Sequence, residues 1–245
     1  MKSAELQVFA SDYEDLTDDA WLEDASPVEI LECMLGRYNG RIAAVSSFGT
    51  ESAVLLSLVS KIDLATPVLF LDTGYLFDET LRYRDALVER LGLTDVRTET
   101  PDPADAARRD PENALWAENP DACCALRKVA PLAKALKPFD AWINGRKRYH
   151  GDLRSRMQVI EHDGERTKIN PMARMSREDI NAYFNAHNLP RHPLEAKGFL
   201  SIGCMPCTSR SAPGDEIRSG RWRGQGKTEC GIHTLNIRAP LVTAQ

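Results

Sequence analysis

The chain has 245 residues, 42% of them hydrophobic, with six cysteines and a formal charge of -5. That length and apolar content suit one large α/β domain, and the acidic balance argues against a general nucleic-acid binder, so an anion site has to be local. No apolar run reaches the roughly 18 residues of a membrane span, and the N-terminal stretch is acidic where a secretory leader is basic and then apolar; a cytoplasmic protein with no membrane partner is expected. In a reducing compartment, cysteines point to metal binding or catalysis before disulfides.

Residues 1–26 set Glu5, Asp12, Glu14, Asp15, Asp18, Asp19, Glu23 and Asp24 against Lys2 alone, and read as a solvated acidic arm or a short amphipathic helix. Ser26-Pro27-Val28-Glu29 is a helix start: a capping hydroxyl, a proline at the first helical position and a glutamate three residues after the cap. That helix carries Ile30, Leu31, Met34 and Leu35 inward, and Cys33 in it is a packing residue. Arg41 to Val45 is a buried strand running into Ser46-Ser47-Phe48-Gly49-Thr50-Glu51-Ser52 and then an apolar helix over 53–59. Strand, hydroxyl-rich turn and helix form a phosphate cradle of backbone N–H groups and hydroxyls, although the Gly-Lys-Ser/Thr of a Walker loop is missing; an ordinary capped helix is the other reading.

A second buried strand, Thr66 to Leu71, ends in Asp72-Thr73-Gly74-Tyr75, and a nucleotide site between two polar strand ends follows the rule for open α/β sheets. A helix over 79–91 and a short strand near Val96-Arg97-Thr98 complete a βαβαβ order, the signature of a parallel sheet. Residues 101–119 look like a connector with at most one short helix. A helix over 126–136 follows, then the strand Ala141 to Asn144, which ends in Gly145-Arg146-Lys147-Arg148. Val159 to His162 and Arg166 to Asn170 flank an Asp163-Gly164 turn as a hairpin, and Ser176 caps a helix through His187. His187 and His192 read as surface residues, since neither has metal-ligand spacing to a partner.

Cysteine chemistry concentrates in Cys123-Cys124, followed by Arg127-Lys128, and in Cys204-x-x-Cys207. Neighbours on a helix point about 100° apart, so an adjacent pair shares a centre only if the backbone bends or the centre has separate metal corners. A 4Fe-4S cluster with four thiolates satisfies this; two buried packing cysteines beside a zinc or redox Cys-x-x-Cys is the alternative. Residues 211–231 hold five glycines together with Arg218, Arg221, Arg223 and Lys227, the composition of a mobile cationic tail, and they lead to Glu229-Cys230-Gly231-Ile232-His233. A lone cysteine near cations on such a segment suits a presented nucleophile, or is an incidental residue of a loose tail.

Taken together, Ser47-Phe48-Gly49-Thr50-Glu51, Leu71-Asp72-Thr73-Gly74, Cys123-Cys124 with Arg127-Lys128, Cys204-x-x-Cys207 and Glu229-Cys230-Gly231-Ile232-His233 resemble the assimilatory adenylyl-sulfate reductases. These stand with the phosphoadenylyl-sulfate reductases in the adenine nucleotide α-hydrolase-like fold, and the resemblance runs from about residue 40 to 235 in unbroken order. It implies thioredoxin-dependent reduction of adenosine 5'-phosphosulfate to sulfite and AMP in sulfate assimilation and cysteine biosynthesis, with Cys230 as the catalytic nucleophile that forms an S-sulfo intermediate. It also implies one 4Fe-4S cluster on Cys123, Cys124, Cys204 and Cys207. Ser46, Ser47 and Gly49 match the modified phosphate loop, Asp72 and Gly74 the loop beside the nucleotide, Lys128 the lysine between cluster and substrate, and Arg218 and Arg221 the phosphosulfate-binding arginines.

After Gly145 the family carries paired arginines and a later serine, whereas this chain has Lys147, Arg148 and Gly151; Arg148 is the candidate for the phosphosulfate and Lys147 cannot fork two hydrogen bonds. A 3'-phosphoadenylyl-sulfate reductase or dual-specificity enzyme is the nearer alternative and an iron-sulfur nucleotide sensor the distant one. The implied partner is thioredoxin or a glutaredoxin-like dithiol, and homo-oligomer formation stays open. The expected organisation is an arm over 1–26, an α/β nucleotide-binding and iron-sulfur domain over 27–210 and a mobile catalytic tail over 211–245.

Overall fold

The computed structural model describes residues 19–151, 154–212 and 214–233. Most of the acidic arm and the end of the tail lie outside them. The chain forms a six-stranded sheet in the order β3-β2-β1-β4-β6-β5: β1 Ile42–Ser46, β2 Val68–Leu71, β3 Val96–Glu99, β4 Ala141–Asn144, β5 Ile160–His162 and β6 Thr167–Ile169. Every neighbouring pair is parallel except β5 with β6, the expected hairpin, whose register pairs Ile160 with Ile169 and His162 with Thr167. The sheet is therefore the mainly parallel one the βαβαβ order implies. Strands β1, β2 and β4 are buried along their whole length because helices cover both faces, and their continuous Val, Ile, Leu and Ala runs meet that need.

Helices α1 Pro27–Arg37, α2 Ser52–Ile62, α3 Asp78–Leu91 and α8 Arg177–Ala186 belong to the larger apolar core. Two of them start as their sequences require. Ser26 and Glu29 form a reciprocal capping box on α1, and Ser176 with Asp179 does the same on α8. Cys33 is buried in α1 as packing, and Leu22, in the short 3-10 turn Ala20–Glu23, is fully buried against the same core.

The connector over 101–119 differs from expectation. It holds two short helices, α4 Pro103–Arg109 and α5 Leu115–Glu118, because Asp102 caps the first through the Ala104 and Asp105 N–H groups and Asp110 accepts from the Leu115 N–H ahead of the second. Next come α6 Pro120–Cys124, a π-helical turn Ala125–Val129 and α7 Ala130–Ala135, one continuous helix with an extra residue in its middle. Arg127 in that turn reaches back to Asp110 at 2.7 Å, to the Thr73 carbonyl at 3.1 Å and over the Tyr75 ring at 4.3 Å. It thereby ties the connector to the end of β2.

His192 is the other correction: it is 1% exposed rather than at the surface. Its Nε2 lies 3.1 Å from the Thr80 hydroxyl, its Nδ1 accepts from the Leu194 N–H at 3.2 Å and its ring packs against Tyr83. His187 is exposed, as expected. Among the described residues no helix is long and apolar enough to cross a membrane.

Candidate active site

The chain order of the strands reverses at β1, which has β2 on one side and β4 on the other. In open α/β sheets such a switch leaves a crevice beyond the strands' carboxyl ends. Here the crevice is a cavity of about 190 Å³ lined by the end of β1 and the turn after it, by Leu71 at the end of β2 and Thr73 beyond it, and by residues 144–147 at the end of β4.

The turn after β1 brings Ser46, Ser47 and Gly49 to the cavity. Its shape depends on Phe48, which has φ +48 and is fully buried edge-on against Phe70 at 5.3 Å. A non-glycine residue in that region is strained, and burial of the ring compensates. The Phe48 N–H donates to the Ser46 hydroxyl at 3.2 Å. Asp72 and Gly74 are not among the lining residues; Asp72 instead accepts from the Gly74 N–H at 2.9 Å, shaping the turn that presents Thr73.

Arg148 does not line the cavity either. Its guanidinium donates to the Met157 carbonyl at 2.8 Å and to Glu23 at 2.7 Å, so the geometry assigns it to holding the chain near residue 23. The cations that do reach the cavity from this segment are Arg146, Lys147 and Arg154. Lys147 is buried in an ion pair with Glu51, which also accepts from Tyr149 and lies 3.0 Å from His150. Burial works to raise the Glu51 pKa, but Lys147 and His150 outweigh it and hold the carboxyl well below its usual range. Burial draws His150 down to about 4 against the pull of Glu51.

Residues 218–233 close the opposite side. Trp222 is 3% exposed, its backbone N–H donates to the Cys207 carbonyl at 3.1 Å, and Thr208 and Arg221 form a β-bridge. Gly220 sits so tightly on the Ser209 carbonyl that any β-carbon would collide with it, and the Arg221 guanidinium lies where a β-carbon on Gly203 would be. Lys227 pairs with Asp121, and the His233 ring stacks on Trp142 at 5.7 Å and 7°. The segment with a loose tail's composition is thus docked through residue 233. It carries Arg218, Arg221, Glu229 and the half-buried Cys230 to the cavity, where Lys128 arrives from the π turn.

The other four conspicuous cysteines are all buried and unpaired by disulfides. Burial, then the neighbouring thiols of Cys124, Cys204 and Cys207, push Cys123 to about 12. Burial likewise raises Cys124 to about 11. Cys204 moves the other way: burial raises it, but Lys128, the Thr73 hydroxyl at 3.2 Å and Arg221 together bring it below the ordinary thiol value. Among the described residues no group of three or more His, Cys, Asp or Glu side chains is placed to hold a metal ion. Four buried thiols from two segments acting on one another suit a larger iron-sulfur cluster in donor type and number. The Trp222 indole N–H, packed with Cys204 and Cys207, is buried without a partner, and an inorganic or thiolate sulfur is a fitting acceptor.

Sequence reasoning placed Arg146 in the cationic run after β4 without singling it out, and missed Arg154 and the π turn. Arg154 had a signal, since it is the next cation after the strand-end run; the π turn had none.

A mainly parallel sheet with a cationic crevice at its switch point defines an α/β protein of the adenine nucleotide α-hydrolase-like fold. Residues 41–210 match the phosphoadenosine phosphosulfate reductase domain, and the chain belongs to that family. It is 48% identical over 227 residues to the adenosine 5'-phosphosulfate reductase of Mesorhizobium japonicum, covering 92% of this chain and 89% of that one. It is 39% identical over 220 residues to the phosphoadenosine 5'-phosphosulfate reductase of Gloeobacter violaceus, covering 86% and 90%. The crystal structure of phosphoadenylyl-sulfate reductase from Candida auris in a phosphate complex superposes with a TM-score of 0.64 at 22% identity, over 85% of this chain and 98% of that one, a likeness of fold.

Proposed function

We propose that the chain reduces adenosine 5'-phosphosulfate to sulfite and AMP, with electrons from thioredoxin or a similar dithiol. The observation that carries this is the presence of Cys230 in the same cavity as Arg218, Arg221, Lys128 and the hydroxyl loop. Six cationic side chains line that cavity against two carboxylates, Glu51 and Glu229, in a protein of net charge -5. Such a local excess is what a doubly anionic phosphosulfate needs when a thiolate approaches it.

The Cys230 thiolate attacks the sulfate sulfur, and the bond from that sulfur to the bridging oxygen breaks, releasing AMP with the electron pair and leaving an S-sulfo group on Cys230. A dithiol's thiolate then attacks the Cys230 sulfur. Sulfite departs with the S–S electron pair, and the second thiol of the donor releases Cys230 from the mixed disulfide, so the donor is oxidised by two electrons. Arg218 and Arg221 steady the phosphosulfate, Lys128 spans from Cys204 towards the substrate, and Ser46, Ser47 and Gly49 receive the nucleotide's phosphate. Asp72 and Gly74 shape the neighbouring loop.

Cys123, Cys124, Cys204 and Cys207 are proposed to hold a 4Fe-4S cluster, which when bound supplies a structural tie between the helix at 120–135 and the Cys204 turn and a polarising body near the anion site. The cysteine quartet and the Mesorhizobium relative's name favour the nucleotide without a 3'-phosphate; the Gloeobacter relative's name keeps the phosphorylated substrate as the alternative. Sulfite release with thioredoxin, measured on both nucleotides, tests this. Turnover of adenosine 5'-phosphosulfate at a much higher kcat/KM is expected, and preference for the 3'-phosphorylated form overturns the substrate choice. Free thiols and a dithiol donor fit a cytoplasmic role in sulfate assimilation and cysteine biosynthesis.

A further inference from the structure

Among the cations of the cavity sits a carboxylate supplied by the protein itself. Glu229, next to the nucleophile, pairs with Arg154, with Oε2 3.0 Å from Nη2 and the second oxygen on Nε, and lies 3.6 Å from Arg218. Arg154 and Glu229 are about one-tenth exposed. Arg154 belongs to the body and Arg218 to the tail, so this carboxylate is the electrostatic bolt between them. Arg146 faces the same point, where it is occupied by Glu161 and Asn170. Burial brings Arg218 down to about 10, with Arg154 and Arg221 adding repulsion and Glu229 opposing it, so the cradle without an anion is a cluster of like charges.

We propose that Glu229 is an intramolecular stand-in for the substrate's anionic group: it fills the Arg154–Arg218 cradle in the ligand-free enzyme, keeps the tail seated, and is displaced when the sulfonucleotide takes its place. The exchange is one anion for another, so the cavity is not left with uncompensated buried cations in either state. The bound anion then bridges the same two arginines, and the tail stays closed on the substrate with Cys230 beside it. Binding affinity is lowered by competition with the carboxylate, and an arginine cluster is kept in register between turnovers. The proposal deepens the reading of the cavity as a sulfonucleotide site and rests on it.

The test uses the full-length protein and inorganic sulfate as the probe, so that it does not depend on turnover. Tryptic cleavage after Arg223 and Lys227 is followed with and without sulfate at matched ionic strength, and sulfate and AMP affinities are measured by calorimetry. The ligand-free Glu229→Gln protein is expected to be cut several-fold faster than wild type, sulfate to slow that cleavage to the wild-type rate, and both anions to bind several-fold tighter than to wild type. Glu229→Asp, whose shorter arm reaches the arginines less well, is expected to lie between, and Glu216→Gln, an exposed carboxylate of the same segment, to match wild type. Wild-type cleavage and unchanged or weaker anion binding in Glu229→Gln overturn the proposal. A protein that makes no sulfite yet shows the expected cleavage pattern refutes the reductase reading and leaves the stand-in in place.

Discussion

Two glycines set how closely the tail lies on the body. Gly203 leaves the space that the Arg221 guanidinium fills, so Gly203→Ala must push that guanidinium out of the cavity. Sulfite release is expected to fall by about tenfold or more, as for other small misplacements of a positioning group, with little change in thermal midpoint; an unaltered rate shows that Arg221 does not act from this place.

His192 offers a pH prediction. Burial lowers its pKa to about 4 from an ordinary 6.5, so the unfolded chain binds the proton first. Its contribution to stability is complete above pH 6.5 and is lost as pH falls from 6.5 towards 4, on the order of 3 kcal/mol over the whole range. Urea unfolding at pH 7.5 and pH 5 is expected to show a larger acid loss for wild type than for His192→Gln, and equal losses contradict the assignment. The sequence hid this residue's burial because spacing reveals metal partners and says nothing of a pocket formed by Thr80 and Tyr83, more than a hundred positions away. The surroundings of Arg148 were hidden for a related reason: in a run of three cations after a strand, composition does not tell which side chain faces the crevice, and here Arg148 bonds to Glu23 and Met157 instead of lining the cavity.

Among the elements, those with a strong period or cap were legible: the capped helices α1 and α8, the hairpin β5–β6, and buried strands β1, β2 and β4. The π turn over 125–129 was not. A π turn has no residue signature, since it is one extra residue accommodated by tertiary contacts, here those of Arg127 with Asp110 and Thr73. Its position directly after Cys124 gives it a checkable role. Deleting Ala125 restores an uninterrupted α period and turns the cysteine pair by about 100° relative to Lys128 and Arg127. Iron content after anaerobic purification is expected to collapse while far-UV circular dichroism is retained; a deletion variant with full iron rules out the turn as the device that orients the pair.

At the scale of the whole molecule, the sequence named candidate parts of a site but not how the chain brings them together. Glycines and arginines made the tail read as loose; Trp222, invisible as an anchor until its neighbours Cys204 and Cys207 are in place, holds it down. Trp222→Ala is expected to weaken this docking by about 3–5 kcal/mol, the usual range for a buried aromatic, exposing residues 223–227 to protease. Because the sheet core does not include Trp222, its thermal midpoint should change little.

The central claim is that the docked tail delivers Cys230 to a sulfonucleotide held by the rest of the molecule. Mixing the protein with adenosine 5'-phosphosulfate in the absence of any thiol, then measuring released AMP and mapping the modified peptide by mass spectrometry, tests it most directly. One AMP per active site and a sulfonate adduct on Cys230 alone, both lost in Cys230→Ser, is the expected result. AMP release without an adduct on Cys230, or an adduct on another cysteine, contradicts it.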